Sequence, residues 1–337
     1  MEDIMKQVKA EKRAIGIDIS KAYFDVGYME DAVAQHEQFE NNKKGFRALK
    51  KWLRKRNVRT AHFVMEATGR YGLELAEFLH QQGYAVSIVN PKQIKAYRES
   101  YLRRNKTDAA DALLISEFCR NRTMPLWQPP AAEVVAIQDM ERRIGSLQKI
   151  RTMEINRLKS GKLAKAVEKS LKRSIRHLEE EIEQMEKAIR ELTTKHTALK
   201  AAFQLLTSVQ GVGDRTAAIL IGEVKDISLV ASGSSLAAYV GVTPYIHESG
   251  TSVRKRPRMS KVGNARLRAA LYYPTLSAMQ HNPVIKAFAE RLKAKGKPNK
   301  VVIIACMRKL LHIIYGVWSS GKPFDPDYEQ KRQAVPA

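Results

Sequence analysis

The chain predicts an α/β unit followed by a mostly helical unit, with a long coiled coil between them. Three observations lead there. Before residue 90, short apolar runs with strand-like alternation are interleaved with stretches of helical spacing. Met124-Pro125-Leu-Trp127-Gln-Pro129-Pro130 then interrupts all periodicity. Beyond it, apolar residues recur at spacings of four and three in a charged background. The divisions expected are 1–128, 129–200 and 201–337.

In the first unit, Ile15, Ile17 and Ile19 fall on one face of a strand, and Asp18 falls on the other. Tyr23–Met29 and Ala34–Phe39 continue an antiparallel meander. Phe46, Leu49, Trp52 and Leu53 have helical spacing. His62-Phe-Val-Met-Glu66 is a short apolar strand ending on a carboxylate, and Ala67-Thr68-Gly69 breaks it. A helix over Tyr71–His80, a strand over Tyr84–Val89 and helices over Lys92–Tyr101 and Asp108–Arg120 complete the unit. Three strands, helix, strand, helix, strand, helices is the element order of a ribonuclease H-like fold.

Asn105-Lys-Thr-Asp108-Ala-Ala-Asp111-Ala is the stretch with most chemistry in it. Asp108 and Asp111, three apart at a helix start, share a face. A solvated first turn answering the helix dipole explains the pair. So does a divalent metal, Mg²⁺ being the economical choice for oxygen ligands. In the predicted fold, Asp18 and Glu66 end strands where such a helix meets the sheet. Four acids around one point can hold two Mg²⁺ ions for displacement at phosphorus. Glu66 favours the cluster, because a carboxylate closing a buried strand is costly without a partner. Arg103, Arg104 and Lys106, just upstream, are candidates for a phosphate backbone.

In the middle segment, Leu171, Ile175, Leu178, Ile182, Met185, Ile189 and Leu192 form a heptad seam, and Ile137, Met140, Ile144 and Leu147 show the same rhythm. Ser160-Gly161 separates two helices. The seam closes either as a local hairpin or, the reading favoured here, between two chains.

In the last unit, Leu205–Leu220 around Gly211-Val-Gly213 reads as a helix-hairpin-helix, whose backbone N–H groups can hold phosphate without reading sequence. Between Gly250 and Ala270 stand Arg254, Lys255, Arg256, Arg258, Lys261, Arg266 and Arg268, with no acid among them. Such a window suits phosphate. Ser249, beside Thr251 and Ser252, fits a Ser/Gly turn. A serine nucleophile at phosphorus needs a base or metal, and His247 is the one histidine near it. Helices follow over Leu267–Met279, Pro283–Leu292 and Val301–Val317.

The totals set the class of partner. Lys plus Arg number 59 against 35 acids, a net charge of +24 that calls for a polyanion, most simply nucleic acid. The two cysteines, Cys119 and Cys306, make neither a disulfide framework nor a zinc site. Residues 1–12 have no apolar core that reads as a secretion signal. The run Val301–Trp318 is cut by Arg308 and Lys309 and reads as a buried helix. A cytoplasmic, nucleoid-associated protein with no membrane partner is expected.

With Gly16-Ile-Asp18, Glu66-Ala-Thr-Gly69, Asn105–Ala112, Gly211-Val-Gly213, Gly241-Val-Thr-Pro244, Glu248-Ser249-Gly250-Thr-Ser252 and Arg258-Met-Ser-Lys261-Val-Gly263 in order along it, the chain resembles the DEDD-type transposases of the insertion sequence 110 family, relatives of the pilin-gene invertases. The resemblance implies a RuvC-like nuclease domain, a coiled coil and a smaller transposase domain. It implies that Asp18, Glu66, Asp108 and Asp111 bind Mg²⁺ and that Ser249 forms a phosphoserine link to DNA. It further implies a homodimer or homotetramer in which one subunit's acids meet another's serine. In many members a bridge RNA pairs with donor and target DNA. Two other functions fit the residues: a hydrolytic junction-resolving nuclease without a covalent step, and a non-catalytic nucleic-acid scaffold.

Overall fold

Alternation of apolar side chains builds the first unit's sheet. In β1 (Arg13–Ile19), Ile15, Ile17 and Ile19 are buried on one face. β2 (Tyr23–Glu30) pairs antiparallel with β1, and β3 (Val33–Glu40) pairs antiparallel with β2. Chain reversal through α1 (Lys43–Lys55) brings β4 (Ala61–Glu66) parallel to β1. A second crossover, α2 (Leu73–Gln81), places β5 (Ala85–Val89) parallel to β4. The order across the sheet is β3-β2-β1-β4-β5. The computed structural model describes residues 13–31, 33–67, 69–100, 107–249 and 253–328, with the side chains of 246, 247, 249 and 253–257 outside that description.

The sheet is covered on both faces. The three isoleucines meet Phe46, Leu49, Trp52 and Leu53 of α1 and Leu75 and Leu79 of α2. On the other face, Val64 and Val89 meet Ile94 of α3 (Pro91–Ser100) and Leu114, Ile115 and Phe118 of α4 (Asp108–Arg120). The Thr107 hydroxyl accepts from the Ala110 amide at 3.2 Å and so starts α4 at Asp108.

The chain divides into compact units at 1–129 and 130–337. In the second, α5 (Ala132–Leu158) and α6 (Lys165–Lys195) pack against each other. Ile137, Ile144 and Leu147 share a core with Ile182 and Ile189, so this part of the heptad seam is buried within the chain. Towards the hairpin turn, Ile150, Met153 and Val167 are 43, 53 and 47 % exposed.

The rest of that core comes from α7 (Thr197–Thr207), α8 (Asp214–Val224), α9 (Gly233–Val240), α10 (Ala265–Ala270), α11 (Tyr272–His281), α12 (Pro283–Ala294) and α13 (Asn299–Ser320). α13 is long and apolar enough to cross a membrane, with a mean hydropathy of 1.7 in its most apolar window. Its Val302, Cys306, Leu310, Leu311, Ile314 and Val317 are instead buried in the unit's core. The single helix expected over Leu267–Met279 is two helices that break at Leu271. Pro274 lacks the N–H that the Ala270 carbonyl needs to continue the helix. β6 (Pro244–Ser249) and β7 (Val253–Met259) form a separate antiparallel hairpin.

Candidate active site and nucleic-acid interface

Asp18 and Glu66 reach the same level and face of the sheet through strand register. Ile17 pairs with Met65 in the parallel ladder, so the residues after them lie side by side at the carboxyl ends of β1 and β4. Across that face lies the first turn of α4, with Asp108 and Asp111. Glycine permits the close approach: a Cβ on Gly16 would collide with the Ala112 carbonyl, and one on Gly27 with the Leu113 amide.

Together these acids line one cleft of about 340 Å³, with Pro91, Lys92, Lys95 and Arg98 of α3. Burial, then the charges of Asp111 and Asp108, hold the Asp18 carboxyl above its ordinary pKa. Arg98 Nη2 lies 2.7 Å from Asp111 Oδ2, and only 9 % of the Asp111 side chain is exposed. Directly across from Asp18 on β2 is Asp25, 6 % exposed. His36 Nε2 at 2.8 Å and Gln38 Nε2 at 3.0 Å hold its two oxygens.

Among the described residues, no group of three or more His, Cys, Asp or Glu stands ready to hold a metal ion. The donor chemistry of the cleft still fits a hard divalent cation. All four acids offer oxygen, and three of them repel one another at Asp18. Arg98 supplies part of the positive charge in the cleft and holds one oxygen of Asp111.

In the second unit, Gly211 has φ +102° and turns between α7 and α8 with Pro274 and Ala278 pressed against it. Gly213 caps α8, and a Cβ built on it meets nothing within 4 Å. Ser249 ends β6 opposite Val253, and Glu248 pairs with Arg254 along the backbone. The Ser249, Arg254, Lys255 and Arg256 side chains lie outside the described atoms, as do residues Arg103, Arg104, Lys106, Thr251 and Ser252. Arg258 and Lys261 are exposed.

Two of the basic candidates point inward. Arg266 donates to the Glu141 carbonyl at 2.5 Å and lies 3.5 Å from Glu223 Oε1. Arg268 donates to the Val240 carbonyl at 2.8 Å. Glu141 and Glu223, 3 and 7 % exposed, need cations in the core, and Arg266 of α10 provides one, while Arg268 of the same helix ties down backbone carbonyls.

Sequence reasoning missed the α3 row of Lys92, Lys95 and Arg98. Its i, i+3, i+6 spacing was visible in Pro91-Lys-Gln-Ile-Lys-Ala-Tyr-Arg98 but did not stand out in so basic a chain. Asp25 was equally legible as a residue and illegible as a buried one.

Comparison with known proteins places the chain in a family. Residues 15–167 match a family model described as "Transposase", and residues 203–290 match one described as "Transposase IS116/IS110/IS902 family". The "Pilin gene-inverting protein" of Moraxella bovis is 34 % identical over 93 % of this chain and 98 % of its own. The "Probable family 20 transposase" of Pseudomonas aeruginosa is 24 % identical over 93 % and 98 %. The "Transposase for insertion sequence element IS1111A" of Coxiella burnetii is 25 % identical over 65 % and 66 %. With two family models matched in order and a 34 % identical relative spanned almost end to end, the chain belongs to the IS110 family of transposases and DNA recombinases.

Proposed function

We propose that this protein cuts and rejoins DNA strands in a Mg²⁺-dependent reaction that passes through a covalent Ser249–phosphate ester. The observation that carries the reading is the convergence of Asp18, Glu66, Asp108 and Asp111, from three separate elements, on one cleft. The strand order, with acids at the carboxyl ends of β1 and β4, supports a ribonuclease H-like, RuvC-like nuclease domain. The division of labour is a nuclease domain to residue 128, a coiled-coil segment to 200 and a transposase domain beyond.

Asp18, Glu66, Asp108 and Asp111 are the residues that would hold Mg²⁺. Bound there, the ion supplies Lewis-acid stabilisation of charge on phosphorus oxygens and acidifies an attacking hydroxyl. In cleavage, Ser249 Oγ forms a bond to phosphorus while one P–O bond to deoxyribose breaks. The serine proton goes, in net terms, to the departing sugar oxygen. One phosphodiester replaces another, so the step reverses readily when a new sugar hydroxyl attacks. The acids and Ser249 belong to different compact units, which is compatible with a site completed between subunits of a dimer or tetramer. The apolar Ile150, Met153 and Val167 near the hairpin turn suit such an assembly.

Gly211, Gly213 and Lys261, with Arg254, Lys255, Arg256 and Arg258 of β7, contact the backbone of donor and target DNA. Arg103, Arg104 and Lys106 do the same beside the acids. A net charge of +24 also supports binding of a structured guide RNA, the bridge RNA of related elements. The DNA acted on is an insertion sequence or, by analogy with the pilin gene-inverting relatives, an invertible segment. The protein works in the cytoplasm, on the nucleoid.

The test is covalent trapping on nicked suicide DNA, resolved on a denaturing gel. Wild-type protein with Mg²⁺ is expected to give a shifted band, and Ser249→Ala and Asp108→Ala none. A Ser249→Ala protein that still traps DNA overturns the serine mechanism. Cleavage without any trapped species in the wild type favours direct hydrolysis by water.

A further inference from the structure

We propose that α3 is a phosphate-binding wall of the acid-lined cleft, and that Lys92 and Lys95 receive the backbone of the DNA strand lying over the four carboxylates. The inference rests on the reading of that cleft as the strand-cutting site and names the part of it that holds substrate.

Lys92, Lys95 and Arg98 form one i, i+3, i+6 row along α3, and all three line the cleft with Asp18, Glu66, Asp108 and Asp111. The row faces the cleft because α3 is fixed from behind. Asn90 Oδ1 accepts from the Lys92 amide at 2.9 Å. Ile94 is fully buried. The Tyr97 ring stands edge-on to Phe118 at 5.2 Å, and its hydroxyl accepts from Asn121 Nδ2 at 3.0 Å.

Charge then decides which of the three serves substrate. Arg98 is committed to Asp111 at 2.7 Å. Lys95 lies 3.8 Å from Glu99, but the two side chains are 75 and 68 % exposed, so the pair constrains it little. Lys92 forms no ion pair among the described residues. Two available ammonium groups therefore face four carboxylates across one cleft. A phosphodiester entering that cleft meets acid repulsion that the two lysines offset, at distances where screening by salt is incomplete. Such contacts position the strand without reading its sequence.

The experiment measures binding of the full-length protein to a fluorescein-labelled DNA duplex, and to a labelled RNA duplex of the same length, across a salt series. For Lys92→Gln/Lys95→Gln, the slope of log K against log salt on DNA is expected to fall by about 1.8, since each phosphate contact contributes about 0.9. Lys92→Arg/Lys95→Arg is expected to keep the wild-type slope, and thermal melting checks that both variants fold. An unchanged DNA slope in the Gln variant overturns the proposal, as does a change confined to RNA. Asp108→Asn separates this result from the parent reading. If Asp108→Asn abolishes recombination while the lysine variant binds as wild type, only the wall is wrong. If Asp108→Asn recombines normally, the cleft reading is wrong whatever the lysines do.

Discussion

Gly16 on β1 and Ala112 on α4 meet backbone to backbone, with no room between them for a Cβ. Two residues on from Gly16 along β1 is Asp18, and one turn back from Ala112 along α4 is Asp108. Gly16→Ala is therefore expected to push α4 off the sheet. Overpacking against backbone, which cannot rotate away, should cost about 3 kcal/mol or more, read by chemical denaturation. Strand cleavage should fall with it, because the acids separate. A variant with parental stability and activity would show that α4 yields freely.

Arg98 and Asp111 form a pair whose carboxylate is nearly buried. Removing the guanidinium leaves that charge uncompensated. Arg98→Gln is expected to destabilise by about 3 kcal/mol, and Arg98→Gln/Asp111→Asn by clearly less than the sum of the single changes. A double-mutant cycle with no coupling would mean that the pair contributes nothing to folding.

Asp18 carries a raised carboxyl pKa from burial and its neighbours' charges. The folded state then holds this proton more tightly than the unfolded chain. Its contribution to stability is present below the unfolded value near pH 4 and is lost as pH rises through the folded one. Asp18→Asn should accordingly melt higher than wild type at pH 7 in chelator, with the gain shrinking towards pH 4, while cleavage is lost.

Glu141 follows the same sign on a larger scale. Burial pushes its carboxyl up to about 7, against the lowering pull of Arg215 and Arg266. Stability attributable to this group should decline between about pH 4.5 and pH 7. Glu141→Gln is expected to flatten the pH dependence of the melting temperature in that window. An identical profile in the variant would place the carboxyl's titration elsewhere.

Ile150→Glu/Met153→Glu is expected to lower the assembly state seen by sedimentation without lowering the melting temperature of the chain, because both side chains are about half exposed. An unchanged sedimentation profile would remove the hairpin turn from the interface.

Much of this was legible in the sequence because it depends on local period. The isoleucine alternation of β1, the start of α4 at Asp108 and the glycine turn at Gly211 are short-range signals. The heptad residues also declared their helices, but not their partner: the same spacing serves a hairpin or a dimer, and Ile182 and Ile189 turned out to be buried against α5. Least legible were charges whose partners are distant in sequence. Arg266 meets Glu141 across 125 positions, and nothing local distinguishes it from the exposed Arg258.

The tie between Asp25 and its partners bears on which substitutions this family tolerates. His36 and Gln38 sit on the sheet's outermost strand, where solvent usually leaves residue choice free, yet both grip a carboxylate cross-strand from Asp18. A saturation survey scored by transposition should find these two unexpectedly intransigent, flanked by permissive Glu37. Sensitivity on that rim would trace the reach of the reaction centre's electrostatics through the width of two strands.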